Sequence, residues 1–312
     1  MDNDRGSAGL FLCTGLLFFI LAYSRLPSTN GVPRGQFLVL ALWAYVLLVD
    51  NLGYWLSGAS LLVSRPREVL PLLLGSLGIG CVFEILNLRL ALWHYVNAPL
   101  GLPARWGMLI SWWATLLPFI FVTAELMSSL GFSGRLTTKR FAVSRWLLLF
   151  FYAAGLAMFG LALAFPKSMG PLIFGAFFFL AEPVNFSFGL PSLLRELSWG
   201  LPGKTLRLII AGLAAALAGN WINNLSGANS AGLVIKTAGV LRSPIAAYAA
   251  FAFFTVEVYS LYSLCSAVRS GKTWEKGLWV MRGKTPDPYF AWVTVIAVFA
   301  VVCTALCIVR IQ

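Results

Sequence analysis

Long apolar stretches recur along the whole chain and are separated by short polar segments. A helix needs about 20 mainly apolar residues to cross the hydrocarbon core of a bilayer, and most of these stretches reach that length. The pattern predicts an all-α fold, a polytopic membrane bundle of about nine transmembrane helices. Eight of the predicted helices cover residues 8–24, 36–56, 69–91, 107–130, 142–165, 171–188, 206–223 and 244–267, and an additional C-terminal transmembrane helix covers residues 288–311.

The composition agrees with a membrane protein and leaves no room for a large soluble domain. Of the 312 residues, 59% are hydrophobic and only 11% are charged, whereas soluble domains average about 25% charged residues. We therefore expect residues 1–312 to form a single integral membrane domain. Pro183 and Asn185 are expected to interrupt the sixth helix, and Asn220 the seventh.

The net charge of +12 comes largely from Lys and Arg residues in the second, fourth, sixth and eighth loops. The positive-inside rule then places these loops and the N-terminus in the cytoplasm. We expect a multi-pass protein of the bacterial cytoplasmic (inner) membrane, with membrane lipids as partners and other membrane-protein subunits as a further option. Nucleic-acid binding is not expected, because no basic block is interleaved with exposed aromatic residues.

The cysteines and the single histidine argue against a metal site or a cofactor. All five cysteines lie in apolar stretches, and none forms a Cys-x-x-Cys pair, so we interpret them as small packing residues. His94 is the only histidine, which excludes a bis-histidine haem and disfavours a histidine-rich metal site. The sequence also lacks a Walker motif and a nucleophile elbow.

Rare acidic residues recur at a fixed spacing and indicate an internal duplication. Asp50 and Glu182 lie 132 positions apart, as do Glu125 and Glu257, and short Leu-Leu-Phe-Phe and Ser-Leu-Leu runs share this spacing. An even number of spans separates the copies, so both run in the same direction, and the expected symmetry is a pseudo-two-fold axis along the membrane normal. The predicted repeats, each of four helices, are residues 8–135 and 140–268.

The stretch that follows Phe83 combines polar groups that are costly inside a bilayer. Glu84 and Asn87 are three residues apart, so they share one face of a helix. Trp93 and Tyr95 follow where a spanning helix would meet the lipid headgroups. An uncompensated carboxyl in an apolar segment costs several kcal/mol, which suggests a function, and a neutral carboxyl there can act as a general acid.

Five of the eleven acids fall inside predicted spans, and they define the candidate site. Intramembrane ionisable groups usually face a bundle interior or a wet cavity. The alternative is that some acids only make structural hydrogen bonds, and that the aromatic residues form an interfacial belt. The predicted catalytic residues are Glu84, Asn87, Asp50, Glu125, Glu182 and Glu257; the predicted binding residues are Trp93, His94, Tyr95, Asn220, Asn223 and Arg89.

The order Glu84, Asn87, Trp93-x-Tyr95, followed by a helix that carries Pro118 and Glu125, resembles two groups of proteins. It is similar to uncharacterised bacterial polytopic membrane proteins with duplicated Phe-Glu-x-x-Asn and Trp-x-Tyr modules, and more distantly to membrane-embedded lycopene cyclases. The second resemblance implies protonation of an isoprenoid double bond by an acid in an aromatic cavity. The sequence departs from the cyclases because it lacks their Pro-x-Glu-Glu motif, and because Asn220 replaces the acid in the second copy. Asn220 and Asn223 lie 136 positions after Glu84 and Asn87, which a four-residue insertion after Leu194 explains.

Three functions follow from these observations. The first is a lipid- or isoprenoid-modifying enzyme of the cyclase or isomerase type, in which Glu84 is the acid, Asn87 orients it and the Trp and Tyr side chains line the substrate. The second is a proton-coupled transporter, in which the intramembrane acids form a path between the two faces. The third is a non-catalytic scaffold subunit of a larger membrane complex.

Overall fold

The computed structural model describes residues 2–24, 35–96, 101–132, 136–225, 232–235 and 244–270. Nearly all of these residues are helical, which confirms the predicted all-α class, with one two-stranded sheet added to it. The elements are α1 Asp2–Ser24, α2 Gly35–Ser57, α3 Leu61–Ser64, α4 Pro66–Leu90, β1 Trp93–Val96, α5 Leu102–Ser129, α6 Arg145–Ala164, α7 Pro166–Met169, α8 Ile173–Ser187, α9 Leu193–Ser198, α10 Gly203–Leu225, β2 Gly232–Ile235 and α11 Pro244–Ser270.

Within these ranges, seven helical segments are long and apolar enough to cross a bilayer. They lie in α2, α4, α5, α6, the α7–α8 segment, α10 and α11, and they match the second to eighth predicted helices. The described apolar part of α1, Gly9–Leu21, is shorter than a full span. The predicted C-terminal helix at 288–311 lies outside the described residues. The molecule is therefore a helical bundle with the length and composition of a multi-pass membrane protein.

The helices pack in the same order in each half of the chain. In the first half, α1 packs on α2, α2 on α5 and α5 on α4. In the second half, α6 packs on α8, α8 on α11 and α11 on α10. The halves meet where α10 contacts α5 and α4 contacts α11, and where β1 pairs with β2.

Close contacts between α4 and α5 depend on small residues in α4. Gly80 lies against the Trp113 ring, so that a Cβ at this position would overlap the indole. Ser76 donates a hydrogen bond to Trp113 O (2.5 Å) and accepts one from Leu117 N (2.9 Å). In a regular α-helix, Leu117 N would donate directly to Trp113 O, so the Ser76 hydroxyl is inserted between these two backbone groups. Pro118 follows immediately inside α5, and a side chain inserted beside a proline is a common way to satisfy a distorted helix.

The sixth spanning segment is interrupted at a different place from the one predicted. Helix α8 continues through Pro183 and Asn185. The break lies upstream, where the four-residue α7 is followed by a 3-10 turn at Gly170–Leu172 and by the non-helical Phe174 (ψ 29°). Proline can be accommodated inside a spanning helix because neighbouring groups satisfy the freed carbonyl. Likewise, α10 continues through Asn220.

The segment after α4 is a strand, which the sequence pattern did not predict. Helix α4 ends at Ala91, which has the left-handed conformation (φ 49°, ψ 40°) and donates its N–H to Asn87 O (2.8 Å). The chain then forms β1, which pairs antiparallel with β2 in the register Trp93↔Ile235 to Val96↔Gly232. Left-handed backbone reverses the direction of a helix end, which allows the strand to turn back toward α4.

Candidate functional site

Three hydrogen-bond donors converge on one oxygen of Glu84. The half-buried side chain projects from α4, and its Oε1 accepts the indole N–H of Trp113 (2.9 Å) and of Trp93 (3.3 Å). The Tyr95 hydroxyl donates a third, short hydrogen bond to the same atom. Helices α4 and α5 and strand β1 each contribute to this arrangement. The structure therefore brings together Glu84, Trp93 and Tyr95, which were predicted to act together, and adds Trp113.

The hydrogen bonds distinguish the two oxygens of the Glu84 carboxyl. Indole nitrogens donate only, so Oε1 is the acceptor in the bonds from Trp93 and Trp113. Because three donors surround Oε1, a proton carried by Glu84 is favoured on Oε2. This places any proton transfer by Glu84 at one defined atom.

The Tyr95 hydroxyl is held in its protonated form. Burial first, and the neighbouring Glu84 carboxyl second, raise the pKa of Tyr95 above its usual value. The protonated hydroxyl is the donor that Glu84 Oε1 requires. Tyr95 is therefore a hydrogen-bond donor that fixes the carboxyl, and it is unsuited to act as a base near neutral pH.

Asn87 stabilises the turn rather than the Glu84 carboxyl. Its Oδ1 accepts the backbone N–H groups of Leu92 (2.8 Å) and Trp93 (3.1 Å), and its Nδ2 donates to Trp93 O (3.0 Å). The prediction that Asn87 orients Glu84 directly is therefore replaced by an indirect role. Asn87 holds the backbone that carries Trp93 and Tyr95 toward the carboxyl.

An aromatic cluster lies beside the Glu84 carboxyl, at the junction of the two halves. The Trp93 ring stacks on Phe174 at 6.4 Å and lies 6.1 Å from the Trp113 ring. Phe83 contacts Phe174, Phe177 and Phe254 at centroid distances of 6.4, 5.7 and 4.9 Å. We call these six residues the aromatic cluster: Phe83, Trp93, Trp113, Phe174, Phe177 and Phe254.

The remaining predicted binding residues do not join this site. His94 and Arg89 are exposed, and neither donates to Glu84. Asn220 is also exposed, and its Nδ2 donates to the Tyr248 hydroxyl at 3.0 Å. Asn223 belongs to α10, but its side chain lies outside the described part of the structure.

Asp50 and Glu182 hold the starts of two short helices. Asp50 Oδ1 accepts the backbone N–H groups of Leu61 (2.9 Å) and Leu62 (3.2 Å) at the start of α3. Glu182 Oε2 accepts the N–H of Leu194 at the start of α9 (3.0 Å), and Ser260 donates to its Oε1 (2.6 Å). Free N–H groups at a helix start favour a carboxylate, so these hydrogen bonds fit a structural role better than a catalytic one.

The last two predicted acids lie in different surroundings. Glu125 accepts a short, charge-assisted hydrogen bond from Arg65. Arg65 Nη1 also lies 3.5 Å from Glu68 Oε2. Glu257 is fully buried in α11 and accepts the backbone N–H of Phe177 at 2.8 Å. The five predicted intramembrane acids thus have different hydrogen-bond donors, and among them Glu84 is the one whose described donors are all uncharged side chains.

The candidate site is therefore the Glu84 carboxyl with its three donors and the adjoining aromatic cluster. Sequence reasoning missed Trp113 because Trp112 and Trp113 are also typical of an interfacial belt; the nearby Gly80 was the available signal for a close contact. Among the described side chains, no three His, Cys, Asp or Glu residues converge as a metal site would require. Comparisons of the chain with protein-family models, curated proteins and solved structures give no match.

Proposed function

We propose that the chain is a membrane-embedded enzyme that acts on a lipid-soluble, isoprenoid-type substrate, with Glu84 as its general acid. The observation that carries the proposal is the convergence of Trp93, Tyr95 and Trp113 on Glu84 Oε1 beside the aromatic cluster. A carboxyl fixed by donors on one oxygen can present the other oxygen to a substrate in a defined direction. Proton transfer by a positioned side chain of this kind is general acid catalysis.

The proposed reaction is an isomerisation or cyclisation without net oxidation. Glu84 Oε2 transfers its proton to one carbon of a substrate double bond, which leaves a carbocation on the substrate and a carboxylate on the protein. Aromatic faces attract cations through the ring quadrupole, so the aromatic cluster can stabilise the carbocation. In a cyclisation, a second double bond of the substrate attacks the carbocation, forms the new C–C bond and leaves the positive charge on its other carbon. Loss of a proton from a carbon next to the cation to Glu84 then restores the acid and completes an isomerised or cyclised product.

The positions of the other acids favour this function over a proton path across the membrane. Asp50 and Glu182 are engaged by the starts of α3 and α9, and Glu125 is paired with Arg65. A proton path needs groups that exchange partners along a continuous line. The observed hydrogen bonds instead assign separate local roles to these acids.

We also propose that the chain consists of two parallel four-helix repeats, 8–135 and 140–268. The order of helix packing is the same in both halves, and a carboxylate holds the start of a short helix at equivalent positions in each. Two equivalent strands related by a two-fold axis perpendicular to them run antiparallel, as β1 and β2 do. These observations support a two-fold axis that passes between the halves along the membrane normal.

The distribution of Lys and Arg supports a location in the bacterial cytoplasmic membrane with the N-terminus in the cytoplasm. In this orientation α3 and α9 lie at the cytoplasmic face, and the β1–β2 pair and the Glu84 site lie toward the outer face. Membrane lipids are the proposed partners. The substrate would reach Glu84 from within the bilayer.

Replacement of Glu84 by Gln tests the proposed function. Gln retains an oxygen that can accept the three donor bonds, but its amide cannot act as a general acid. We expect Glu84→Gln to lower product formation by about 100-fold or more while the protein still folds. The measurement is mass spectrometry of lipid extracts from cells that produce the wild-type protein or the variant.

Glu68→Gln is the matched control, because Glu68 lies at the other end of α4 and outside the proposed site. Its lipid profile should equal that of the wild type. Identical lipid profiles for the wild type, Glu84→Gln and cells without the protein would contradict an enzymatic role for Glu84.

A further inference from the structure

Glu257 has a buried oxygen whose hydrogen-bonding capacity is not used within the described structure. The residue is 0% exposed. Its Oε1 accepts the backbone N–H of Phe177 (2.8 Å), whereas its Oε2 is buried and has no hydrogen-bond partner among the residues described. A buried polar atom without a partner costs about 1–3 kcal/mol, and buried polar side-chain atoms nearly always have one. Oε2 therefore calls for a partner.

The interruption upstream of α8 explains why a backbone donor faces Glu257. Phe177 follows the non-helical Phe174, where the kink interrupts the regular hydrogen bonding of α8, and its N–H bonds to Glu257 Oε1 instead. The spanning segment Pro166–Ser187 thus contains a helix start within its length. Interrupted spanning helices of this kind often surround binding sites in membrane proteins.

The equivalent acid in the first half has a charged partner that Glu257 lacks. Glu125, 132 positions before Glu257, pairs with Arg65. The residues 132 and 136 positions after Arg65 are Leu197 and Leu201, and neither can form an ion pair. The second half therefore has the acid without the corresponding cation, and the Glu257 side chain bonds to the backbone of α8.

A hydroxyl group that is present in the first half is also absent from the second. Tyr45 and Thr123 form a hydrogen bond between their hydroxyls, 3.0 Å long, that joins α2 to α5. Phe177 is the residue 132 positions after Tyr45, and it has no hydroxyl. Phe177 therefore brings no hydroxyl to its contact with Glu257, where Tyr45 provides one at the equivalent position of the first half.

A hydroxyl is the group whose chemistry fits this position best. It can accept a hydrogen bond if Oε2 carries a proton and can donate one if Oε2 does not. The positive end of the α8 dipole disfavours a cation, and the carboxyl itself disfavours an anion. We propose that Glu257 Oε2 binds a hydroxyl group, supplied either by a buried water or by an alcohol-bearing lipid that lies along the aromatic cluster.

The aromatic cluster connects this position to the Glu84 site. Phe177, whose N–H bonds to Glu257, contacts Phe83 at 5.7 Å, and Phe83 directly precedes Glu84. This step rests on the proposed function. If the hydroxyl belongs to a lipid alcohol, that lipid is the substrate of the Glu84 site, and its hydroxyl lies at the end away from Glu84. A water at Glu257 means that the site is polar and filled independently of the substrate.

A crystal structure of the full chain, grown from a lipid mesophase with its co-purified lipids, tests the proposal. We expect density within hydrogen-bonding distance of Glu257 Oε2 in the wild type, and no such density in Glu257→Leu. An isolated peak identifies water, and elongated density identifies a lipid alcohol. An empty, well-ordered site in the wild type would overturn the proposal.

Lipids that remain bound to the purified protein give a second measurement when the source is a lipid. We expect Glu257→Leu to retain at least ten-fold less lipid alcohol than the wild type, whereas Glu257→Gln, which still bonds to a hydroxyl, retains most of it. Glu68→Leu is the control for the loss of a glutamate outside the cluster. Failure at Glu257 would leave the Glu84→Gln comparison unaffected, because lipid extracts from cells report the reaction at Glu84.

Discussion

Trp113 contributes a hydrogen bond that can be removed without removing an aromatic ring. In Trp113→Phe, the 2.9 Å bond from the indole N–H to Glu84 is lost and the carboxyl retains two donors. We expect the free energy of unfolding to fall by about 1–2 kcal/mol, because hydrogen bonds to carboxyl groups contribute about this much. Circular dichroism during thermal unfolding in detergent provides the measurement.

Trp112→Phe is the matched control for this change. Trp112 is half-buried and packs against the core, and the donors to Glu84 come from other residues. Equal losses of stability in both variants would mean that ring volume, rather than the bond to Glu84, determines the effect. A larger loss in Trp113→Phe supports the assigned role of the indole N–H.

Tyr95 gives a prediction that depends on pH. Burial and the Glu84 carboxyl raise the pKa of Tyr95, whereas an unfolded tyrosine titrates near pH ~10. The folded protein favours the protonated hydroxyl, so this stabilisation is complete below about pH 10 and is lost as the pH rises above that value. We expect wild type and Tyr95→Phe to show the same tyrosinate absorbance through this range while both remain folded. One additional tyrosinate in the wild type near pH ~10 would contradict the assignment.

The residues of the Glu84 site show what the sequence could and could not indicate. The costly acid and the following Trp93 and Tyr95 were recognisable from residue type and position alone. The role of Asn87 was not, because it depends on the end of α4 at Ala91 in a left-handed conformation. Glycine usually marks such an end, and alanine gives no comparable signal.

Among the elements, α4 and α5 depend on the absence of a side chain at Gly80. A Cβ there would overlap the Trp113 ring, so Gly80→Ala must push the indole away from Glu84. We expect a loss of about 1–3 kcal/mol of stability, as is typical of overpacking, together with reduced product formation. Thermal unfolding and lipid extracts measure the two effects.

Gly78→Ala in the same helix is the control, because a Cβ at Gly78 meets nothing within 4 Å. Alanine favours a helix over glycine by up to about 1 kcal/mol, so stability should stay the same or rise slightly. A similar loss in both variants would show that helix flexibility, rather than contact with Trp113, explains the effect of Gly80→Ala.

Most helices could be predicted because hydrophobic length is a strong signal in a membrane protein. The interruption before α8 could not, since it lies at Gly170–Leu172 and Phe174, whereas Pro183 gave the stronger sequence signal. Strand β1 was also missed. Its partner β2 lies more than 130 residues away, and local patterns carry no information about such pairing.

For the whole molecule, the orientation in the membrane can be tested with two equivalent substitutions. Lys139 and Lys167 are both exposed and lie on either side of α6. In a cysteine-free background, we expect an impermeant maleimide to label Lys167→Cys in intact cells, and Lys139→Cys only after the membrane is opened. The reverse pattern would invert the orientation, and labelling of both in intact cells would contradict a spanning α6.

The proposed duplication was recognisable at this scale because acids are rare in apolar sequence. Identities among Leu and Phe carry little information in such a composition, whereas Asp50 with Glu182 and Glu125 with Glu257 share one spacing. The sequence could not indicate that the equivalent acids have different partners. Glu125 pairs with Arg65, and Arg65 has no matching cation in the second half. Because Arg65 is not part of the repeated acidic pairs, the repeat spacing did not reveal this difference.

The β1–β2 pair joins the two halves through backbone hydrogen bonds at one end of the bundle. Apart from this pair, the described contacts between the halves are helix packing and a hydrogen bond from Arg207 Nη1 in α10 to Ser128 Oγ in α5 (2.5 Å). A rocking movement of one half against the other would therefore pivot about the paired strands. The opposite end of the bundle would separate first, with loss of the hydrogen bond from Arg207 to Ser128, while Glu84, adjacent to the pivot, would keep its surroundings almost unchanged.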